Sequence, residues 1–137
     1  MMDITQALSQ TNWLSVIAAA MACFVIGGIW YGPLFGRAWM QGFNLSEDDL
    51  RNRSVSMTFG LALLLALVTA LNLDMFLGPQ SDVITGLMAG LLSGVGFVAT
   101  LLGILYVFEM QTLKIYLINA GYCVVTLTVM GIILGAW

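Results

Sequence analysis

Asn119, Tyr122 and Thr126 follow one another at spacings of three and four, so on a helix they share one face. In water such a trio would be unremarkable; within an apolar segment its amide and hydroxyl groups need partners. They therefore read first as interhelical hydrogen bonds and second as the lining of a substrate path. Asn72 and Asp74 lie near the end of another apolar run and join the trio as a possible polar intramembrane site, and Glu109 closes a third run. Hydrolytic or transfer chemistry would need a nucleophile beside a base, an acid-base pair or a metal cluster. The serines, threonines and carboxylates are scattered instead, there is no histidine, and Cys23 and Cys123 stand singly within apolar runs, where a thiol packs as a small hydrophobe. Gly28 and Gly32 follow no strand, so they form no phosphate-cradling loop. No catalytic residue, metal site or cofactor is expected, and the chain reads as a non-enzyme.

The elements that must position these residues are set by four charge-free stretches, residues 4–36, 54–73, 83–108 and 115–137. Each is at least as long as the roughly 20 residues that carry a helix across a bilayer's hydrocarbon core. Charged residues make up 8% and hydrophobic residues 61% of the chain, against about 25% charged in a soluble domain; mean hydropathy is +1.00. The expected fold is all-α: a polytopic integral membrane protein, a four-transmembrane-helix bundle in which successive helices are antiparallel neighbours. The 137 residues form a single transmembrane domain with spans at about 13–32, 55–78, 82–108 and 113–137, and a loop at 33–54. Pro33 and the Gly78-Pro79 pair mark two of the ends. With a net charge of −3 there is no basic field for nucleic acid.

Arg37, Arg51 and Arg53 lie between the first and second spans and Lys114 between the third and fourth, so all the basic residues share one side. The bias of lysine and arginine toward cytoplasmic loops places that side inside and both termini outside. Ala20-Met21-Ala22-Cys23 has the form of a lipoprotein cleavage site, but no lysine or arginine precedes it, and no cleaved leader is expected. Trp13, Trp30, Tyr31, Tyr106, Tyr116 and Trp137 fall near span ends, where amphipathic rings settle at headgroup level.

Within the loop, Ser46-Glu47-Asp48-Asp49 is a helix start: the Ser46 hydroxyl can accept from the Asp49 amide, and carboxylates meet the positive end of the helix dipole. The second helix is expected to begin there and run into the membrane. Residues 33–43, with Leu34, Phe35, Trp39, Met40 and Phe43 around Arg37, either lie in the interface plane or fold over the bundle mouth.

Helices in lipid are held by close backbone approach and hydrogen bonds. The third span carries Gly86, Gly90 and Gly94 at intervals of four, beside a second small-residue line at Thr85, Ala89, Ser93, Gly96, Thr100 and Gly103; the fourth ends in Gly131 and Gly135. This concentration predicts that the third span is the centre of the bundle or of a homo-oligomer interface. No ionisable group falls at the middle of a span, which argues against a proton-coupled exporter.

The run Gly28-Ile29-Trp30-Tyr31-Gly32-Pro33-Leu34-Phe35-Gly36-Arg37-Ala38-Trp39-Met40 resembles the signature of a family of small bacterial four-span membrane proteins, domain of unknown function 1761 (DUF1761). Leu45–Leu50 and Met130–Trp137 are similar to that family too, so the resemblance extends over essentially the whole chain. It implies no activity; it implies that the turn formed by Trp30, Tyr31, Gly32, Pro33, Gly36, Arg37 and Trp39 matters, with the aromatic rings anchoring the exit from the membrane and Arg37 meeting headgroup phosphate, a helix end or Glu109. The expected function is a bacterial inner-membrane protein that self-associates and binds membrane lipid, another apolar ligand or a partner protein. An oligomeric channel or transporter is the alternative, and an enzyme acting on lipid a further one.

Overall fold

A computed structural model describes residues 3–137, and no strand occurs among them. A short helix, α1 (Ile4–Ser9), is capped by Asp3, whose carboxylate accepts from the Gln6 amide at 2.8 Å. The first span is α2 (Trp13–Ile29), continued by a π-turn at Trp30–Leu34. Two short helices follow, α3 (Gly36–Gly42) and α4 (Glu47–Arg51). The second span is α5 (Val55–Leu77). The third consists of α6 (Val83–Ser93), a π-turn at Gly94–Val98 and α7 (Ala99–Phe108), and the fourth is α8 (Leu113–Ala136). All four spans are long and apolar enough to cross a membrane.

Side-chain caps set all four span starts. Asn12, Ser54, Asp82 and Thr112 each accept from a backbone amide in the first turn that would otherwise lack a partner. Ser46 and Asp49 form a reciprocal capping box, the Asp49 amide donating to the Ser46 hydroxyl at 3.1 Å and the Ser46 amide to the Asp49 carboxylate at 2.8 Å. Those hydrogen bonds hold the exposed Asp49 carboxyl below its ordinary range. The helix started there does not run on into the second span as expected. It stops at Arg51, and Ser54, with extended backbone, opens α5 afresh.

The first span also runs past its expected end at residue 32. Pro33 has no N–H to offer and would crowd the carbonyl one turn back. The helix widens instead of stopping: the Phe35 amide reaches the Trp30 carbonyl, five residues earlier, at 2.8 Å. The chain then folds back so closely that a Cβ on Gly36 would lie 2.6 Å from the Tyr31 carbonyl oxygen. Helix α3 consequently packs over the bundle, with Gly42 against the side chain of Ile115 at the start of α8.

The bundle is centred on the fourth span, not the third. Helix α8 is the most buried of the four and packs on spans one, two and three. The core joins Val16, Ala19 and Ala20 of span one, Ala66, Ala70 and Leu73 of span two, and Met130 and Leu134 of span four. The alanines keep the helices close, so dispersion contacts are dense where no water-driven burial operates. Gly86, Gly90 and Gly94 are used up inside the chain: α6 crosses α8 with Gly86 on Gly131 and Gly135, Gly90 on Leu127, and Gly94 on Val124. That glycine ridge is therefore not free to face another copy. The second small-residue line is more open, with Thr85, Gly96 and Thr100 exposed.

Candidate functional site

At the end of the bundle that carries the arginines, three spans are tied through Asn119. The Tyr31 hydroxyl donates to its side-chain oxygen at 2.6 Å, and its amide nitrogen donates to the Tyr106 hydroxyl at 2.8 Å. One residue of span four thus holds spans one and three, with both faces of its amide satisfied. Beside it the Tyr122 hydroxyl donates to the Cys23 carbonyl at 3.0 Å and stands 2.9 Å from the Cys23 sulfur. Since that hydroxyl proton is already given to the carbonyl, the thiol is the donor in the second contact. The Trp30 indole N–H donates to the Ile118 carbonyl at 2.9 Å, and the Tyr116 hydroxyl to the Ala99 carbonyl at 2.9 Å. Trp30, Tyr31, Tyr106 and Tyr116 accordingly direct their polar tips to partners in neighbouring segments of the bundle and are half-buried. Trp13 and Trp137, at the opposite end, are exposed.

The π-turn places Tyr31 where it can do this. Its ring lies edge-on to Tyr122 at 5.2 Å and to Trp39 of α3 at 5.4 Å, so the returning α3 braces it from outside. Trp30 packs on Phe35 with centroids 4.9 Å apart.

Next to this junction a groove of about 500 Å³ opens between spans one and two. Its floor is Cys23, Tyr31 and Tyr122, and its walls include Phe24 and Gly28 on one side and Phe59 and Ala62 on the other. Gly28 and Gly32 contribute no side chain, and a Cβ on either would meet nothing within 4 Å, which leaves the groove wide on that flank. Arg53 is the one charged residue in its lining, with its guanidinium carbon 5.5 Å from the centroid of the Phe59 ring. Asp49 stands four residues before Arg53, the spacing of a helical ion pair, but α4 ends at Arg51 and Asp49 turns back to Ser46. Arg51 does pair, with Glu47 at 3.3 Å and Asp48 at 3.6 Å. Arg53 has no carboxylate within 4.0 Å among the described residues.

The polar residues singled out in the sequence do not form one site. Asn119 and Tyr122 belong to the junction, while Thr126, one turn further along, is buried with its hydroxyl oxygen unbonded. Asn72 is exposed and its amide donates to the Val68 carbonyl of its own helix. Asp74 lies at the far end, where a pocket of about 140 Å³ gathers Gln10, Asn12, Ser15 and Trp137 around it. Arg37 is exposed, and neither it nor Glu109 makes an ion pair among the described residues. Sequence reasoning missed Tyr106 and Arg53. Neither was signalled: Asp49 stands four residues before Arg53 just as Glu47 does before Arg51, and nothing in the spacing pointed Tyr106 at Asn119.

A family model described as "Protein of unknown function (DUF1761)" matches residues 14–135. No curated protein and no solved structure matches the chain.

Proposed function

Since this chain belongs to the DUF1761 family, which has no assigned chemistry, we propose from its own geometry that it is a non-enzymatic membrane protein holding a lipid acyl chain in the groove between spans one and two. One observation supports this above the others: the groove is apolar, lies along two membrane spans and has exposed residues at its edge, Gly28, Thr58 and Phe59 among them. Water along the apolar walls formed by Phe24, Gly28, Phe59 and Ala62 would lack hydrogen-bond partners, and an empty cleft would forfeit the dispersion contacts of its walls. The surrounding solvent is lipid, so a hydrocarbon chain is the natural filling. The volume also falls within the roughly 300–1,000 Å³ of ligand sites.

The test uses Gly28→Leu, which fills the groove at a position where a side chain has room. Wild-type protein purified in mild detergent is expected to keep bound lipid by native mass spectrometry, and the variant to lose it with thermal stability unchanged. Equal retention by both proteins would sink the reading.

Self-association is proposed through the open flank of span three. Gly96 and Thr100 are exposed there, and a Cβ at Gly96 would touch nothing in the chain. Gly96→Leu is expected to lower the mass measured by light scattering in detergent, and a wild type already monomeric would refute it. The basic end is proposed to face the cytoplasm of a bacterial inner membrane, with both termini on the other side.

A further inference from the structure

Filling a groove with hydrocarbon explains occupancy but not choice, because a chain leaving the bilayer for the groove exchanges one apolar surrounding for another. Selection must come from the polar end. Of the polar side chains lining the groove, the Tyr31 hydroxyl is committed to Asn119 and the Tyr122 hydroxyl to Cys23, and Trp39 and Thr58 are neutral. Arg53 alone brings charge, exposed at the groove and held over Phe59, with donors that no carboxylate within 4.0 Å takes up among the described residues. No acidic residue lines the groove to repel an anion.

We infer that the occupant is an anionic glycerophospholipid whose phosphate sits on the Arg53 guanidinium while one acyl chain lies along Phe24, Gly28 and Ala62. This rests on the groove holding a lipid chain, as proposed above. The guanidinium fork offers several N–H donors in a fixed plane and suits phosphate oxygens. Its apolar stem and the Phe59 contact orient it without consuming those donors. An uncompensated cation at this depth favours a lipid with net negative charge over a zwitterionic one, by about five-fold for one basic residue. Arg51 is an internal comparison: it is two residues away at the same end, outside the groove and already paired.

The experiment offers wild type, Arg53→Gln, Arg53→Lys and Arg51→Gln an equal mixture of phosphatidylglycerol and phosphatidylcholine with identical chains, and counts retained lipids by native mass spectrometry. A parallel arm offers phosphatidylglycerol against palmitate. Wild type and Arg51→Gln are expected to retain phosphatidylglycerol about five-fold over phosphatidylcholine, Arg53→Lys to keep part of that preference, and Arg53→Gln to retain both lipids equally with total retention unchanged. An Arg53→Gln protein that keeps the wild-type preference overturns the inference, as does palmitate displacing phosphatidylglycerol, or an Arg51→Gln protein that loses the preference as fully. Failure of the underlying reading is distinguishable: it shows as lipid retention that Gly28→Leu does not reduce, whatever the headgroup.

Discussion

Replacing Gly131 with alanine adds one methyl group where spans three and four cross. The new Cβ would lie 2.9 Å from the Gly86 carbonyl carbon, nearer still to its oxygen, and 3.3 Å from the Gly90 amide nitrogen. These are backbone atoms, so no side chain can swing aside. Ordinary van der Waals contact begins at 3.4 Å; 3.4 less 2.9 leaves 0.5 Å as the least distance by which the helices must part on the carbon alone. A gap of about 0.5–1 Å forfeits a quarter to a half of the dispersion energy of each atom pair along the seam, and overpacked sites lose about 1–3 kcal/mol. No hydrophobic drive inside lipid compensates. Gly60→Ala supplies the comparison, because its Cβ meets nothing within 4 Å and its cost should stay within about 0.5 kcal/mol. Reversible unfolding by SDS titration in mixed micelles reads both. If Gly131→Ala proves as stable as Gly60→Ala, the account of the span three and span four seam is wrong.

Asn119→Leu removes the acceptor for Tyr31 and the donor to Tyr106 and leaves two hydroxyls unsatisfied; at about 0.6 kcal/mol per interhelical bond, and up to about 1.7, the same titration should show a loss of about 1–2 kcal/mol, and no loss would refute the junction. Asp49 has its carboxyl lowered by the Ser46 hydrogen bonds, so its contribution to α4 is complete above the ordinary carboxylate pKa of about 3.9 and is lost as pH falls through its depressed value. Circular dichroism across that range should show α4 fraying in acid for the wild type, and an Asp49→Asn protein should lack that step. For topology, with Cys23 and Cys123 replaced, a membrane-impermeant thiol reagent on intact cells should label Gln80→Cys and spare Asn52→Cys; the opposite pattern would reverse the orientation.

The four spans were legible because hydrocarbon thickness sets a length that uncharged runs either meet or do not. The Ser46 cap was legible because its partner stands three residues on. What stayed hidden depended on which faces meet. The glycines of α6 announce a close approach but not to what, and they are spent on Gly131, Leu127 and Val124 of the same chain, which moves the centre of the bundle to α8. Trp30 and Tyr31 have the composition of an interfacial anchor; only the widened turn at Pro33, with α3 folding back, aims them at Ile118 and Asn119. Arg53 acquires its place at the groove because α4 ends two residues earlier, a break with no proline or glycine to mark it.

The π-turn at Gly94–Val98 works as a phase corrector for the third span. From Gly94 to Tyr106 is twelve positions, which at about 100° each would leave the tyrosine about 120° around the helix from the glycine that faces α8. A π-turn takes up one residue without advancing the face, which cuts that offset to about 20°. Gly94 can therefore meet Val124 and Tyr106 can meet Asn119 on the same neighbour. The register of span three is thus that of two helices spliced out of step. A chain shortened by one residue at this point would close into a continuous α-helix and keep Tyr106 on Asn119, whereas the unshortened chain wound as α-helix throughout would turn Tyr106 away by about 100°.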